Sequence, residues 1–191
     1  MHPGAAVTLF WGLFVLSWLA AAFWTRRGEK RVGLGNELPY RVLLTLGYVL
    51  LFHLRQRHPI PGLTWRPTEE VARAAAIASL AGFFFAWWAR LHLGALWSAG
   101  VTRKPGHHIV DSGPYALVRH PIYTGLIWAS FCTLFAYHSG LGPARLLGFA
   151  LICLGYWMKA KLEEDWLSIE LGGTAYASYR ARVPMLLPFW R

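Results

Sequence analysis

The stretch GPYALVRHPIYTG, residues 113–125, lies between two long apolar runs, yet it is polar and contains two prolines and two glycines. Gly113-Pro114 is typical of a turn. His120 precedes a proline, which biases its backbone away from the helical region, and Pro121 suits the first position of a helix. We therefore predict a connection that ends here and a helix that begins at Pro121. The side chains expected to line a pocket at this helix start are Tyr115, Arg119, His120 and Tyr123.

An aromatic and basic belt at a membrane surface is the alternative interpretation of each of these residues taken alone. Tyr and Trp concentrate at membrane–water interfaces, and Arg or His can meet lipid headgroups there. The four residues occur within nine positions, and the stretch 113–125 around them also holds two glycines and two prolines. This density favours a shaped pocket over a belt, because long connections with many special residues are often functional.

The composition around this stretch predicts an all-α integral membrane protein. Of the 191 residues, 55% are hydrophobic and only 15% are charged, too few to cover a soluble domain of this size. Helices are expected because backbone groups in lipid must be satisfied within each segment. The net charge of +10 comes from residues in the gaps between apolar runs and not from one basic face, which argues against a nucleic-acid partner.

About five apolar segments are candidates for transmembrane helices in a single domain, residues 1–191. Each of the first three is near the ~20 residues that a spanning helix needs. The last one continues as a helix into the charged stretch KAKLEEDWLSIELG, residues 159–172. We place three helices in residues 1–92 and a cofactor-binding and catalytic half in residues 93–191. The candidate segments are 7–24, 38–54, 71–91, 122–137 and 144–158.

The distribution of Lys and Arg predicts the orientation of these segments. Basic residues are concentrated in the gap after the first segment, in the gap after the third and beyond the fifth. Cytoplasmic loops carry an excess of Lys and Arg, so these gaps are expected in the cytoplasm. The N-terminus is then outside, and the stretch 113–125 and the C-terminus are cytoplasmic.

Two adjacent glutamates, Glu163 and Glu164, follow the last apolar segment. Adjacent residues on a helix point about 100° apart, so the two carboxylates cannot face each other across a substrate bond. One of them can turn toward the helices and hold a small cationic ligand. The alternative is a solvated helix end in which Lys159 and Glu163 form an i,i+4 pair, and the sequence leaves both open. No histidine spacing typical of a metal site is present, and we expect no metal.

Taken together, these motifs resemble those of the isoprenylcysteine carboxyl methyltransferase family. The similarity rests on HHIVDSGPYALVRHPIYTG, residues 107–125, on the pair Glu163-Glu164, and on a C-terminal pattern. That pattern comprises Leu171-Gly172, Tyr176, Tyr179 and Arg182-Val183-Pro184. Phosphatidylethanolamine N-methyltransferases share part of it, chiefly the R-H-P-x-Y-x-G run and the later glutamate pair. The resemblance covers residues 93–188, and the short chain is similar to the compact prokaryotic members.

The resemblance implies a methyltransferase that uses S-adenosyl-L-methionine in a bacterial or archaeal cell membrane. A cytoplasmic cofactor pocket would be built from the last two helices, the loop before them and the C-terminal segment. The methyl acceptor would be lipophilic and enter from the lipid bilayer. The acceptor that the resemblance implies first is the carboxylate of an S-isoprenylated cysteine. A phospholipid amine and a small thiol are alternatives, and a non-enzymatic transporter or assembly factor is the competing class.

The resemblance also implies roles for individual residues. Lys159 stands where the family often has an arginine near the acceptor carboxylate, and lysine lacks the planar fork that grips two oxygens. Residues expected to bind the cofactor are His107, His108, Ile109, Val110, Gly113, Tyr115, His120, Pro121, Tyr123 and Glu163. Residues expected to act in catalysis are Arg119, His120, Lys159 and Glu164. Apolar residues expected around the acceptor are Phe84, Trp88, Leu126 and Trp157.

Overall fold

The computed structural model describes residues 2–24, 30–31, 33–52, 65–98, 102–103, 109–137, 142–170 and 173–188. These residues are almost entirely helical. The helices are α1 (Pro3–Ala21), α2 (Leu34–Phe52), α3 (Glu69–Leu93), α4 (Pro114–Leu117), α5 (Pro121–Ala136), α6 (Pro143–Glu170) and α7 (Gly173–Arg182). Short 3-10 turns, Ala22–Trp24 and Gly94–Leu96, follow α1 and α3. Two strands of two residues each, β1 (Lys30–Arg31) and β2 (Thr102–Arg103), pair antiparallel and are a small addition to the predicted all-α fold.

Each of the five predicted apolar segments forms a helix, and α6 continues through the charged stretch as expected. Two of the helices are long and apolar enough to cross a membrane, α1 and the stretch that runs from Glu69 to Leu96. The apolar helix α5 is shorter, with 16 residues. Large apolar side chains such as Leu16, Ile77 and Phe84 are more than 60% exposed. Such outward-facing apolar side chains on helices are typical of a surface that contacts lipid.

The start of α5 follows the local sequence rules. Pro121 is the first residue of the helix, as predicted, because its missing N–H would have no helical partner there. His120 before it has φ −124° and ψ 63°, outside the helical region. Gly113 precedes α4 with φ 58°, a backbone conformation that residues with a side chain rarely adopt. The ring of His92 fills the space where a Cβ at Gly113 would project.

Glycines allow the two main helix pairs, α3 with α5 and α2 with α6, to pack closely. Gly82 on α3 lies against Gly125 on α5, and a Cβ on either glycine would meet the carbonyl oxygen of the other. Gly47 on α2 lies in the same way against Gly148 on α6. Small residues at such crossings are common in membrane helices, where close backbone approach provides the van der Waals contact. The glycine of the R-H-P-x-Y-x-G run, Gly125, therefore has a packing role.

Aromatic side chains of α1 fill the space between the two halves of the chain. Trp11 packs edge-on against Phe83 of α3 and Tyr48 of α2, with ring centroids 4.8 and 5.4 Å apart. Its indole N–H donates to the Thr133 hydroxyl of α5 over 2.9 Å. One cluster of buried apolar residues thus contains residues from Val7 to Ala160, and it supports the cavity described below.

Adding a methyl group at Gly82 should destabilise the protein. In Gly82→Ala the new Cβ would lie 2.9 Å from the backbone nitrogen of Ala129, so α3 and α5 must separate. Forced separation of well-packed elements costs roughly 1–3 kcal/mol. We expect a lower thermal unfolding midpoint in detergent micelles. Gly12→Ala is the matched control because nothing lies within 4 Å of its new methyl group. Equal midpoints for both variants would contradict the close packing.

Candidate functional site

A cavity of about 420 Å³ lies where α5, α6 and α7 meet the ends of α1 and α3. Most of the sequence-predicted site residues line it. From the predicted cofactor set these are Ile109, Val110, Tyr115, His120, Pro121, Tyr123 and Glu163, and from the catalytic set also Arg119 and Lys159. Gly113 and Glu164 do not line the cavity, and His107 and His108 lie outside the described residues.

Glu163 is the carboxylate that faces the cavity. The hydroxyl of Tyr123 donates to its Oε1 over 2.5 Å, and His120 Nδ1 lies 3.5 Å from its Oε2. The Glu163 side chain keeps 19% of its surface exposed, so a ligand in the cavity can still reach it. Lys159, one helical turn earlier on α6, lines the same cavity.

Glu164 points away from the cavity into a cluster of basic side chains. It is fully buried, and Arg119 Nε donates to its Oε1 over 2.6 Å. His120 Nε2 lies 3.2 Å from the same oxygen, and Arg180 Nε lies 3.3 Å from Oε2. The two adjacent glutamates therefore diverge, as the geometry of a helix requires. The imidazole of His120 lies between them, with one ring nitrogen toward each carboxylate.

This arrangement fixes the charges of the cluster. Burial alone would lower the pKa of His120, but its contacts with Glu163 and Glu164 outweigh burial and raise it above the usual range. Burial likewise favours neutral carboxyls, yet the contacts with His120 and Arg119 lower the pKa of Glu164 to about 2. The pKa of Glu163 is also lowered against burial, by His120, Lys159 and Tyr123. The two carboxylates therefore favour the protonated form of the imidazole between them.

The segment after α7 is hydrogen-bonded along the start of α5. The backbone N–H groups of Arg119 and His120 donate to the carbonyls of Pro184 and Met185 over 2.8 and 3.1 Å. The guanidinium of Arg119 also donates to the carbonyl of Val183. These bonds hold the C-terminal segment against the R-H-P run. The resemblance implied that this segment helps to build the pocket, but it did not give the contacts.

Aromatic faces surround the centre of the cavity. The ring of Tyr123 stacks between His120 and Tyr156, with centroids 5.4 and 5.1 Å away. The Lys159 ammonium lies 5.1 Å from the Tyr123 centroid and 5.6 Å from that of Tyr40 on α2. Cations are attracted to such ring faces. These rings hold the Lys159 ammonium in the same cavity as the Glu163 carboxylate.

The predicted acceptor-lining residues need correction. Leu126 lines the cavity, but Phe84, Trp88 and Trp157 do not, and their side chains are 70, 48 and 47% exposed. These three lie on outward faces of α3 and α6. The prediction was wrong because a helix that is apolar on most sides gives little periodic signal for its inner face.

The cavity also has lining residues that were not predicted from the sequence, among them Trp18, Leu44, Trp97, Tyr156 and Trp166. The spacing of Trp11, Phe14 and Trp18 does mark one face of α1 and would have located Trp18.

The ionisation of the cluster predicts how stability depends on pH. His120 has a raised pKa, so its contribution is full below its unfolded value of about 6.5 and is lost as pH rises through the folded pKa. Glu164 has a depressed pKa, so its contribution is full above about 4.3 and is lost as pH falls toward 2. We expect the thermal midpoint to be highest between these limits.

Removing the imidazole should abolish the alkaline decline. In His120→Gln the difference from wild type is expected to be largest near pH 6 and to shrink steadily above it, as measured by thermal unfolding in buffered detergent. Gly12→Ala, far from the cluster, should show a difference that does not change with pH. A constant difference between wild type and His120→Gln from pH 6 to 9 would show that the imidazolium does not stabilise the fold.

Comparison with known proteins identifies sequences related to this chain. The sequence model of the isoprenylcysteine carboxyl methyltransferase (ICMT) family matches residues 75–167, which include α5 and the glutamate pair. A probable protein-S-isoprenylcysteine O-methyltransferase of Oryza sativa subsp. indica is 27% identical over 97% of this chain and 93% of its own length. Methanethiol S-methyltransferase 1 of Bradyrhizobium diazoefficiens is 27% identical over 88% of this chain and 59% of its own length.

A third relative matches mainly in the second half. The protein-S-isoprenylcysteine O-methyltransferase of Xenopus laevis is 31% identical over 46% of this chain and 29% of its own length. All of these relatives are methyltransferases, which decides against the transporter and assembly-factor alternatives. The resemblance inferred from the motifs is confirmed: residues 75–167 match the isoprenylcysteine carboxyl methyltransferase family, and the chain is a methyltransferase.

Proposed function

We propose that the protein transfers a methyl group from S-adenosyl-L-methionine to the carboxylate of a lipophilic acceptor, of which an S-isoprenylated cysteine is the type. The observation that carries the proposal is the pair of opposite charges in one cavity. Glu163 presents a carboxylate to it, and Lys159 presents an ammonium one helical turn away. A cationic donor and an anionic acceptor can therefore be held side by side.

The residues present fit the donor. S-adenosyl-L-methionine supplies an activated methyl group on a sulfonium, and the sulfur keeps the bonding electron pair when the methyl group leaves. Glu163, held ionised by its neighbours, is complementary to a cationic or hydroxyl group of such a ligand. Trp166 lines the cavity, and its indole N–H is buried with no acceptor in the described part of the chain. It can therefore donate a hydrogen bond to a ligand.

We assign His120 and Glu164 to positioning and not to proton transfer. Both ring nitrogens of His120 face carboxylates, which orients the ring beneath Tyr123. Glu164 is fully buried and outside the cavity, so it acts by holding Arg119 and His120 in place. Methyl transfer depends on alignment of nucleophile, methyl group and leaving sulfur, and rigid side chains supply it.

The same geometry favours a carboxylate over an amine as the acceptor. An amine must lose a proton, and the two carboxylates beside His120 raise its pKa and favour the form that has no site for another proton. Glu163 is also a poor base because its pKa is lowered. A carboxylate acceptor is ionised near pH 7 and needs no base. It also matches the charge of Lys159, which would instead repel an ammonium.

A thiol is the second candidate acceptor, supported by the similarity to methanethiol S-methyltransferase 1. A thiol has to ionise before it attacks, and an adjacent ammonium lowers the pKa of a bound thiol. Lys159 could serve in that way too. The extensive apolar lining of the cavity favours the lipophilic acceptor over a small thiol.

We further propose that the chain is one membrane domain, residues 1–191, with five spans. In this arrangement the N-terminus lies outside and the cavity and C-terminus lie on the cytoplasmic side of a bacterial or archaeal membrane. The support is the concentration of Lys and Arg in the gaps after α1 and α3 and beyond α6. The methyl donor would then reach the cavity from the cytoplasm and the acceptor from the lipid.

The decisive experiment offers acceptors of three kinds to the protein in lipid with methyl-labelled S-adenosyl-L-methionine. The tubes contain a farnesylated cysteine derivative, a phosphatidylethanolamine and a small thiol, and the products are treated with base. We expect label on the farnesylated cysteine that base releases as methanol, since methyl esters hydrolyse. Base-stable label on either of the other two acceptors would replace the carboxylate proposal with N- or S-methylation.

Removing the cavity carboxylate should weaken donor binding. In Glu163→Gln the amide cannot balance a positive charge, and a hydrogen bond to a charged group is worth roughly 1.5–3 kcal/mol, or about ten- to a hundredfold in Kd. His120→Ala should act in the same direction, because Glu163 loses its support. Isothermal titration with S-adenosyl-L-methionine measures both. The control is Glu69→Gln, whose exposed carboxylate pairs with Arg73 far from the cavity, and unchanged affinity in both site variants would refute the assignment.

Removing the ammonium of Lys159 should weaken the binding of a carboxylate acceptor. Lys159→Met removes the ammonium and is expected to raise KM for a carboxylate acceptor about tenfold or more while donor affinity rises or stays level, because a like charge near the donor is removed. Lys159→Arg should retain most activity. Lys161→Met is the matched control, since Lys161 lies on the same helix but does not line the cavity. An unchanged KM in Lys159→Met would place the acceptor elsewhere.

A further inference from the structure

We infer that the acceptor's hydrocarbon chain enters between the end of α1 and the turn after α3, and that Arg90 is the residue that holds this passage in shape. The inference rests on the proposed function and adds to it a route and a positioning residue. None of the motifs in the second half of the chain points to this region.

The polar centre of the cavity continues into an apolar lobe. The lobe is lined by Trp18 and Leu19 of α1 and by Leu93, Leu96 and Trp97 at the end of α3. These side chains belong to the same cavity as Glu163 and Lys159. A ligand with a charged end and a long hydrocarbon would place its charge beside Lys159 and its chain against these rings.

The lobe opens at the last turn of α1. Leu19 is 59% exposed, whereas the other lining residues are buried or half-buried. Leu16 and Phe23, 66 and 89% exposed, continue the apolar surface on either side of it. A hydrocarbon that passes Leu19 therefore moves from an outward apolar face into the cavity without crossing a polar surface. Its transfer from lipid to the lobe requires little change in solvation.

Arg90 is buried behind this wall and joins its parts. Arg90 is only 4% exposed. Its guanidinium carbon lies 3.3 Å from the ring centroid of Trp97 and 5.1 Å from that of Trp18. Nη2 donates to the carbonyl of Ala21, the last residue of α1, over 2.6 Å. One planar cation thus ties the end of α1 to both tryptophans of the lobe.

The chemical setting of Arg90 is unusual for a purely structural residue. No carboxylate lies within ion-pair distance of it in the part of the chain that the structure describes, and its Nη1 is buried with no acceptor there. A buried charge without an ionic partner is costly, so the two ring contacts and the bond to the Ala21 carbonyl are what hold Arg90 in this position. Lysine cannot replace it, because an ammonium neither lies flat on a ring nor spans ring and carbonyl together.

The test compares acceptors that differ only in chain length. The purified protein in lipid receives S-farnesyl and S-butyl derivatives of the same cysteine, with S-adenosyl-L-methionine binding measured in parallel. For Arg90→Gln and Arg90→Lys we expect KM for the farnesyl acceptor to rise roughly tenfold or more, the range that a hydrophobic pocket discriminates. We expect kcat, the kinetics with the butyl acceptor and donor affinity to stay near wild type. Arg73→Gln, an exposed arginine of the same helix, should change none of these.

Blocking the opening gives an independent measurement. Leu19→Trp should slow methylation of the farnesyl acceptor and spare the butyl acceptor, whereas Leu16→Trp, one turn earlier and outside the lining, should affect neither. Arg90 variants that impair both acceptors equally, together with a Leu19→Trp that spares both, would overturn the inference. If the wild type methylates neither acceptor while still binding the donor, the proposed function itself is wrong.

Discussion

The site depends on one buried ionic contact, that of Glu164 with Arg119 and His120. Glu164 belongs to α6, Arg119 and His120 precede α5, and Arg180 approaches from α7, so a single carboxylate holds three elements together. Removing one member of such a buried cluster leaves uncompensated charge and costs several kcal/mol. The start of α5 is thereby fixed, and with it the ring of Tyr123 and the outline of the cavity.

Helix geometry divides the work of the two glutamates. Because neighbouring positions point about 100° apart, Glu164 can be buried only if Glu163 turns toward the cavity. His120 couples the two, since each of its ring nitrogens faces one of them. The buried carboxylate of Glu164 therefore orients that of Glu163 through the imidazole ring of His120. The charged side chains of the cavity are therefore already oriented before a ligand binds, as in a preorganised site.

Much of the fold and part of the cavity lining could be predicted from the sequence, for identifiable reasons. Apolar runs and the His120-Pro121 boundary specify helices locally, so the five helices and the first residue of α5 were predicted correctly. The inner faces of those helices were not, because α1 and α5 are apolar all round and their facing residues depend on close crossings such as that of Gly82 with Gly125. Leu44 of α2 and Tyr156 of α6 line the cavity because those two helices cross closely at Gly47 and Gly148.

The position of the cavity explains why charged and apolar side chains meet in one short stretch of sequence. The proposed sulfonium donor would need a carboxylate, which Glu163 provides just beyond the apolar part of α6. The proposed lipophilic acceptor would need an apolar wall, which α1 and α3 provide at their ends. The two requirements can be met together only where apolar helices give way to polar segments. A rigid Gly-Pro and His-Pro backbone keeps that boundary in place, and the polar stretch 113–125 therefore occurs between two apolar runs.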